Sequence, residues 1–343
     1  MKEVKKKSIS WPFIGNRHIA SYLEKSVNKG NIGGAYIFSG PDNLGKTTMA
    51  VYFAQSILCQ DHNTSVLPCG QCPSCLSFRQ SEAISHGDVH IIKKEKDKKN
   101  ISVEQARDLI KFLSLSSFLN SYKIGIIKHA GSLSIEAANA LLKTLEEPKK
   151  NVVIILVAAN ADELPQTIVS RSKVLNFFPV QTDEIYDFML EGCKATRSEA
   201  QGFAHLAMGR PAIALKFFEN KDFYQKYLER VNIFLRFFDQ CLGERLSAIG
   251  TIMDAKLLGQ EAVRSAKRTL EIWQGLVRDF ILMENNYGNI IQHKIVETDL
   301  KNVRVKMTQA QAVNILEFIK DCEKKLAANV NPRLVLESVA INL

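Results

Sequence analysis

The apolar positions of this chain follow two different patterns. Up to about Phe178, short apolar runs alternate with stretches of helical period. Ala35-Tyr36-Ile37-Phe38-Ser39, Val89-His90-Ile91-Ile92, Tyr122-Lys123-Ile124-Gly125-Ile126-Ile127, Val152 to Val157 and Val174-Leu175-Asn176-Phe177-Phe178 read as strands. They are rich in β-branched residues and nearly uninterrupted, as strands covered on both faces are. Between them, Ile19, Ala20, Tyr22, Leu23 and Val27 mark an amphipathic helix over Arg17 to Asn28, and Thr48 to Ala54 reads as another. Ser102 with Gln105 forms a capping box opening a helix through about Leu115. Ser134 caps Ile135 to Glu147, which Pro148 ends. Strands alternating with helices predict an α/β unit with a parallel sheet. From about Gln181 the strand signal stops. Thr182 to Leu190, Arg197 to Met208 (closed by Gly209) and Pro211 to Phe218 predict a small helical domain. Longer helices are expected over Tyr224 to Leu242, Ala262 to Met283 and Thr308 to Ala327, with a last one from Pro332. The expected division is residues 1–180, 181–222 and 223–343, with no internal repeat.

One segment changes this from a fold to a candidate site. Gly40-Pro41-Asp42-Asn43-Leu44-Gly45-Lys46-Thr47 fits G-x-x-x-x-G-K-[ST], the phosphate-binding loop, with Thr48 continuing into the helix. The glycines let backbone N–H groups turn toward a phosphate, Lys46 reaches its outer oxygens, and Thr47 offers a hydroxyl to Mg²⁺. A strand before and a helix after are the context the motif requires. Ligands of parallel sheets bind at the carboxyl ends of the strands, where this loop lies.

Cysteine spacing supplies a second candidate. Cys69, Cys72 and Cys75 have C-x2-C-x2-C spacing, and Cys59 precedes them, so residues 59–75 read as an insertion with little core of its own. Four thiolates form a tetrahedral zinc site by type and number. An iron–sulfur centre is the rival reading, without the usual C-x3-C-P continuation, and buried thiols are the plainer one. No apolar run approaches a membrane span, and Trp11-Pro12-Phe13-Ile14-Gly15 is too short for a signal-peptide core, so a cytoplasmic protein is expected. The formal charge of +9 favours anionic partners such as nucleic acid, but many lysines sit in two runs, around Lys5-Lys6-Lys7 and from Lys93 to Lys99. The plainer reading of both runs is a solvated, mobile stretch.

Two further segments carry a resemblance. Asn139-Ala140-Leu141-Leu142-Lys143-Thr144-Leu145-Glu146-Glu147-Pro148 and Leu164-Pro165-Gln166-Thr167-Ile168-Val169-Ser170-Arg171 resemble signatures of clamp-loader subunits of bacterial DNA polymerase III, members of the AAA+ family. The likeness covers the first 220 residues well and the rest by helical character. It implies an AAA+ phosphate-loop domain, a small helical lid and an all-α collar. Two subunit types share this plan: the ATP-hydrolysing motor (gamma/tau) and the delta-prime subunit. In the motor, the strand before the Asn-Ala-Leu-Leu helix ends in Asp-Glu, the pair that holds Mg²⁺ and polarises the attacking water. Those places fall on Lys128 and His129 here. An ammonium weakens any Mg²⁺ site beside it. Glu136, about two turns away on the next helix, is a poor stand-in. The sensor position of the next strand falls on or beside Ala158-Ala159-Asn160. The lid arginine's place falls near Ala212, with Arg210 two places early.

The resemblance therefore implies a delta-prime-like subunit that holds ATP or ADP in a complete loop without hydrolysing it. It implies a hetero-oligomeric ring with motor and delta subunits, a sliding clamp, and primer-template DNA bound through the assembly. Arg171 would be an arginine finger given to a neighbour's ATP, Ser172 standing where the family has Cys; a surface arginine capping a helix end is the plainer reading. Phe13 and Ile14 would line the adenine pocket or staple the N-terminal arm. Ile233, Phe234, Phe237 and Phe238 are expected to be internal core.

Overall fold

The computed structural model describes residues 8–9, 11–61, 66–78, 86–95, 98, 100–118, 121–253, 259–304 and 307–343. The first lysine run and Lys96, Asp97 and Lys99 of the second lie outside them. The chain divides into two compact units, Met1–Glu184 and Ile185–Leu343.

In the first unit the strands are β1 (Ser8–Ile9), β2 (Ala35–Ser39), β3 (Val66–Leu67), β4 (Val89–Ile92), β5 (Lys123–Lys128), β6 (Val152–Ala158) and β7 (Lys173–Asn176). The helices are α1 (Arg17–Asn28), α2 (Lys46–Ile57), α3 (Pro73–Ser77), α4 (Val103–Ser114), α5 (Ile135–Glu146) and α6 (Gln166–Val169). Five strands form a parallel sheet in the order β4-β5-β6-β2-β7. A separate parallel pair joins β1 to β3.

The period-2 rule divides the core. Ala35 and Ile37 of β2, with Val152, Ile154, Leu156 and Ala158 of β6, pack under α4 and α5. Tyr36 and Phe38, with Val153, Ile155 and Val157, pack under α1 and α2. Burial of each large apolar side chain contributes about 1.5–3 kcal/mol, so covering both faces holds β2 and β6 firmly at the centre. Both predicted caps form. Ser102 and Gln105 exchange side-chain-to-backbone hydrogen bonds of 3.1 and 3.4 Å, and Ser134 Oγ accepts from Ala137 N–H at 3.1 Å.

The second unit is helical: α7 (Thr182–Glu191, beginning just before the boundary), α8 (Arg197–Leu206), α9 (Pro211–Glu219), α10 (Lys221–Arg236), α11 (Leu242–Ile252), α12 (Gly259–Glu284), α13 (Glu297–Arg304), α14 (Gln309–Ala327) and α15 (Pro332–Ile341). The single helix expected over Tyr224 to Leu242 is interrupted. A 3-10 turn at Phe237–Asp239 ends α10, and Glu244 accepts from Cys241 N–H at 3.0 Å to start α11. Phe234 and Phe237 are buried against Trp273, and Ile233 and Phe238 are half-buried, so this face is largely core. A buried polar knot joins α12 to the segment after it. Asp279 accepts from His293 Nδ1 and N–H, both at 2.7 Å, and from Gln292 N–H at 3.0 Å, while Tyr227 Oη lies 2.7 Å from His293 Nε2.

Candidate nucleotide site and cysteine cluster

The loop from Gly40 to Lys46 turns at the carboxyl end of β2, a strand with β6 on one side and β7 on the other. Gly40 has φ +145° and Gly45 has φ +84°, both in the region that disfavours a side chain. A Cβ at Gly40 would collide with the Phe177 carbonyl, and one at Gly45 would lie 2.6 Å from Phe13 Cε2. The two motif glycines are thus required by close approach as well as by backbone conformation. Asn43 takes a third positive φ, +67°. Gly45 is the N-cap of α2, so the helix presents its free N–H groups to the loop. Thr47 is half-buried, Thr48 is exposed, and Leu44 is buried.

Lys46 is buried at 5% exposure, and its ammonium is held by its own loop. It donates to the carbonyl oxygens of Gly40 and Pro41, the latter at 2.6 Å, and lies 3.7 Å from Asp42 Oδ1. Burial lowers its pKa, and the carboxylates of Asp42 and Glu163 oppose that shift. The loop therefore places a desolvated cation among carbonyls, ready to exchange them for phosphate oxygens. The arm before α1 closes one side. Trp11 Nε1 donates to Ser56 Oγ at 3.0 Å, Phe13 meets Phe177 edge-on at 6.2 Å, and Asn16 exchanges bonds of 2.9 and 2.8 Å with the Phe178 backbone. Phe13 thus both staples the arm and lies against Gly45, while Ile14 is half-buried beside it.

The end of β5 is different. Lys128 is its last residue, paired in register with Val157 of β6, and burial and the nearby Lys93 lower its pKa. His129 follows in a left-handed turn, φ +56°, and is exposed. No carboxylate stands at either place. Glu136 is fully exposed in the first turn of α5, where its own N–H and the Ser134 hydroxyl lower its pKa. Asn160 is spent locally: it caps the turn Ala161–Glu163, its amide donating to Asp162 at 3.1 Å. In the second unit, Arg210 Nε donates to the Ala207 carbonyl at 3.3 Å, and Ala212 is exposed.

Arg171 lies on the surface just after α6. Its guanidinium pairs with Glu146 at 2.7 Å and donates to the Thr167 carbonyl at 3.0 Å. A glutamate that sequence reasoning did not use, Glu163, acts on Lys46 electrostatically. Nothing in its local sequence signals this, because the proximity comes from the pairing of β6 with β2.

The four cysteines do come together. Sγ atoms of Cys59, Cys69, Cys72 and Cys75 all lie within 4.8 Å of one another, and Cys69 and Cys75 are 3.8 Å apart. A tetrahedral ion with metal–sulfur bonds of about 2.3 Å asks for sulfur–sulfur edges of about 3.8 Å, so the donor set fits a metal. Amides turn toward the sulfurs: Gln71 and Cys72 N–H donate to Cys69 at 3.5 and 3.3 Å, and Cys75 N–H donates to Cys72 at 3.4 Å. Burial pushes the Cys69 thiol up, but these amides outweigh it and bring the thiol down to about 7. Burial raises Cys59 and Cys75.

Comparison with known proteins follows the same lines. The fold is the AAA+ clamp-loader fold, a five-stranded parallel phosphate-loop domain with a helical C-terminal part. The crystal structure of a DNA polymerase III gamma subunit-related protein from Thermotoga maritima matches 93% of this chain and 97% of that one, with a TM-score of 0.52 at 17% identity. Within that class the chain resembles the delta-prime subunit of bacterial DNA polymerase III. A family model described as DNA polymerase III, delta subunit, matches residues 15–181. Over 340 residues the chain is 25% identical to subunit delta' of Bacillus subtilis, covering 98% of this chain and 99% of that one. It is also homologous to the tau/gamma type: 32% identical to Bacillus subtilis tau over 172 residues, half of this chain and 29% of tau. Among the described residues, no helix is long and apolar enough to cross a membrane.

Proposed function

We propose that this chain is a clamp-loader subunit of the delta-prime type, which helps place a sliding clamp on primed DNA in the cytoplasm. Its loop, Gly40 to Thr48, holds ATP or ADP as a structural part and does not turn it over. Residues 181–222 act as the lid and 223–343 as the collar that joins it to motor and delta subunits in a ring. Primer-template DNA is engaged by the assembled ring.

The observation that carries this reading is the contrast at the carboxyl edge of the sheet. The loop is complete, whereas β5 ends in Lys128 and is followed by His129: an ammonium repels Mg²⁺, and an imidazole is a poorer base there than a carboxylate. Losing a general base typically removes factors of about 10² to 10⁴ in rate. Bound Mg²⁺ would supply charge neutralisation at the phosphates, with Thr47 as the hydroxyl that faces it. Full-length similarity to a delta' subunit, against partial similarity to tau, supports the same assignment.

Arg171 then acts in trans. It leaves its pairing with Glu146 when a neighbour's nucleotide arrives, and its guanidinium stabilises charge on that phosphoryl group. Reconstitution with a motor subunit tests this. Arg171→Ala should slow the complex about 10³-fold while assembly is kept, and an unchanged ATPase rate would sink the assignment.

Zinc is the metal of the cysteine cluster and staples the insertion to its own small core of Leu67, Cys59 and Cys75. Elemental analysis should find about one zinc per chain; iron in its place, or a metal-free folded chain, would refute it.

The complete loop also favours a second reading, an active motor ATPase of the gamma/tau type. Turnover by the purified chain, abolished by Lys46→Ala, would establish it.

A further inference from the structure

Glu163 belongs to none of the motifs above. It ends the 3-10 turn Ala161–Glu163 that follows β6. One contact ties this turn to the strand end before the phosphate loop, and two more fix the turn itself. Ala161 N–H donates to Ser39 Oγ at 3.0 Å, and Ser39 is the last residue of β2 before Gly40. Glu163 N–H returns to the Asn160 carbonyl at 3.3 Å. Leu164 then drops into the core at 3% exposure. The Glu163 side chain lies over Gly131, in the turn that follows β5. A Cβ added at Gly131 would come within 2.9 Å of Glu163 Cβ and would collide with Oε2. The carboxylate fills volume that any other residue at 131 would claim. From there it is close enough to Lys46 to act on the ammonium. The side chain thus lies against the turn that follows β5, while its own turn is bonded to the strand end that precedes the loop.

We propose that Glu163 is the acidic side chain of the nucleotide site and makes triphosphate binding depend on Mg²⁺. This rests on the reading that the loop holds nucleotide. Asp42 lies 3.7 Å from the Lys46 ammonium, and Glu163 adds a second negative charge from the neighbouring turn. A bare triphosphate entering the loop meets that surplus negative charge, while the Mg²⁺ complex brings the cation that offsets it. Glu163 comes from the turn after β6, and Asp42 from the loop after the adjacent β2. The site therefore owns a carboxylate that does not depend on the lost pair at the end of β5. In this role it discriminates between free and metal-bound nucleotide, and it touches no reacting water.

The test is ATP binding by calorimetry on the purified full chain, in EDTA and in excess Mg²⁺. Wild type should bind more tightly with Mg²⁺. Glu163→Gln, which keeps the shape and removes the charge, should bind ATP in EDTA roughly tenfold more tightly than wild type, shrinking the Mg²⁺ effect by a similar factor. Gly131→Ala, which pushes the carboxylate aside, should move the Mg²⁺ effect in the same direction. Glu136→Gln should leave it where it is. A wild-type chain that binds ATP with the same Mg²⁺ effect as Glu163→Gln overturns the role of Glu163 and leaves the loop reading standing. A wild-type chain that binds no nucleotide in either condition overturns the loop reading, and this inference with it.

Discussion

The loop after β2 and the turn after β5 lie at the same edge of one sheet, two strands apart, yet they are built to different ends. The loop has every group that phosphate binding asks for: two glycines held in positive φ by close neighbours, a buried lysine among carbonyls, and a helix N-terminus behind it. The turn has a strand end of the right length and register, but it finishes on an ammonium and an imidazole. Binding and hydrolysis draw on different parts of the fold. A chain can keep one and lose the other without any change in architecture, because the residues at the end of β5 are not core. Lys128 is only half-buried and His129 is exposed, so neither is constrained by packing.

This contrast can be broken from either side. The largest effect should come from the loop. Lys46→Ala removes the buried cation of the loop, and nucleotide affinity should fall by a factor of at least about 100, measured by calorimetry against a wild-type control. A smaller gain should come from repairing the turn. Lys128→Asp with His129→Glu restores the two carboxylates, and Lys93 offers the new aspartate a partner. ATP turnover should then rise about 10- to 100-fold above the wild-type background. No rise would mean that the side chains at these two places do not control turnover. Smallest is the support beneath the turn: Ser134→Ala loses the cap of α5 and should cost about 1 kcal/mol in a denaturant melt, with no change in nucleotide binding.

Much of the first unit was legible in the chain because local signals and global packing agree there. The strand Val152–Ala158 is an apolar run that the sheet buries from end to end, and the phosphate loop is a motif whose neighbours are its own context. The cysteine cluster was legible from spacing alone, since C-x2-C-x2-C closes three ligands onto one point. What escaped depends on contacts far apart in the chain. The helical period of Tyr224 to Leu242 runs on through Phe237, so the break shows only in the 3-10 turn and in the Cys241–Glu244 bond that begins α11. Arg171 pairs with Glu146, a neighbour across two helices rather than along one. The turn that carries Glu163 meets Ser39 because β6 lies against β2, and the side chain has its seat because residue 131 is glycine.

The measurement that bears most directly on the central claim is made on the purified chain alone with labelled ATP, following binding and hydrolysis in the same samples. Retained nucleotide that stays intact over many half-lives of its complex is the predicted result. Steady release of phosphate that Lys46→Ala abolishes would contradict it and would make this chain a motor.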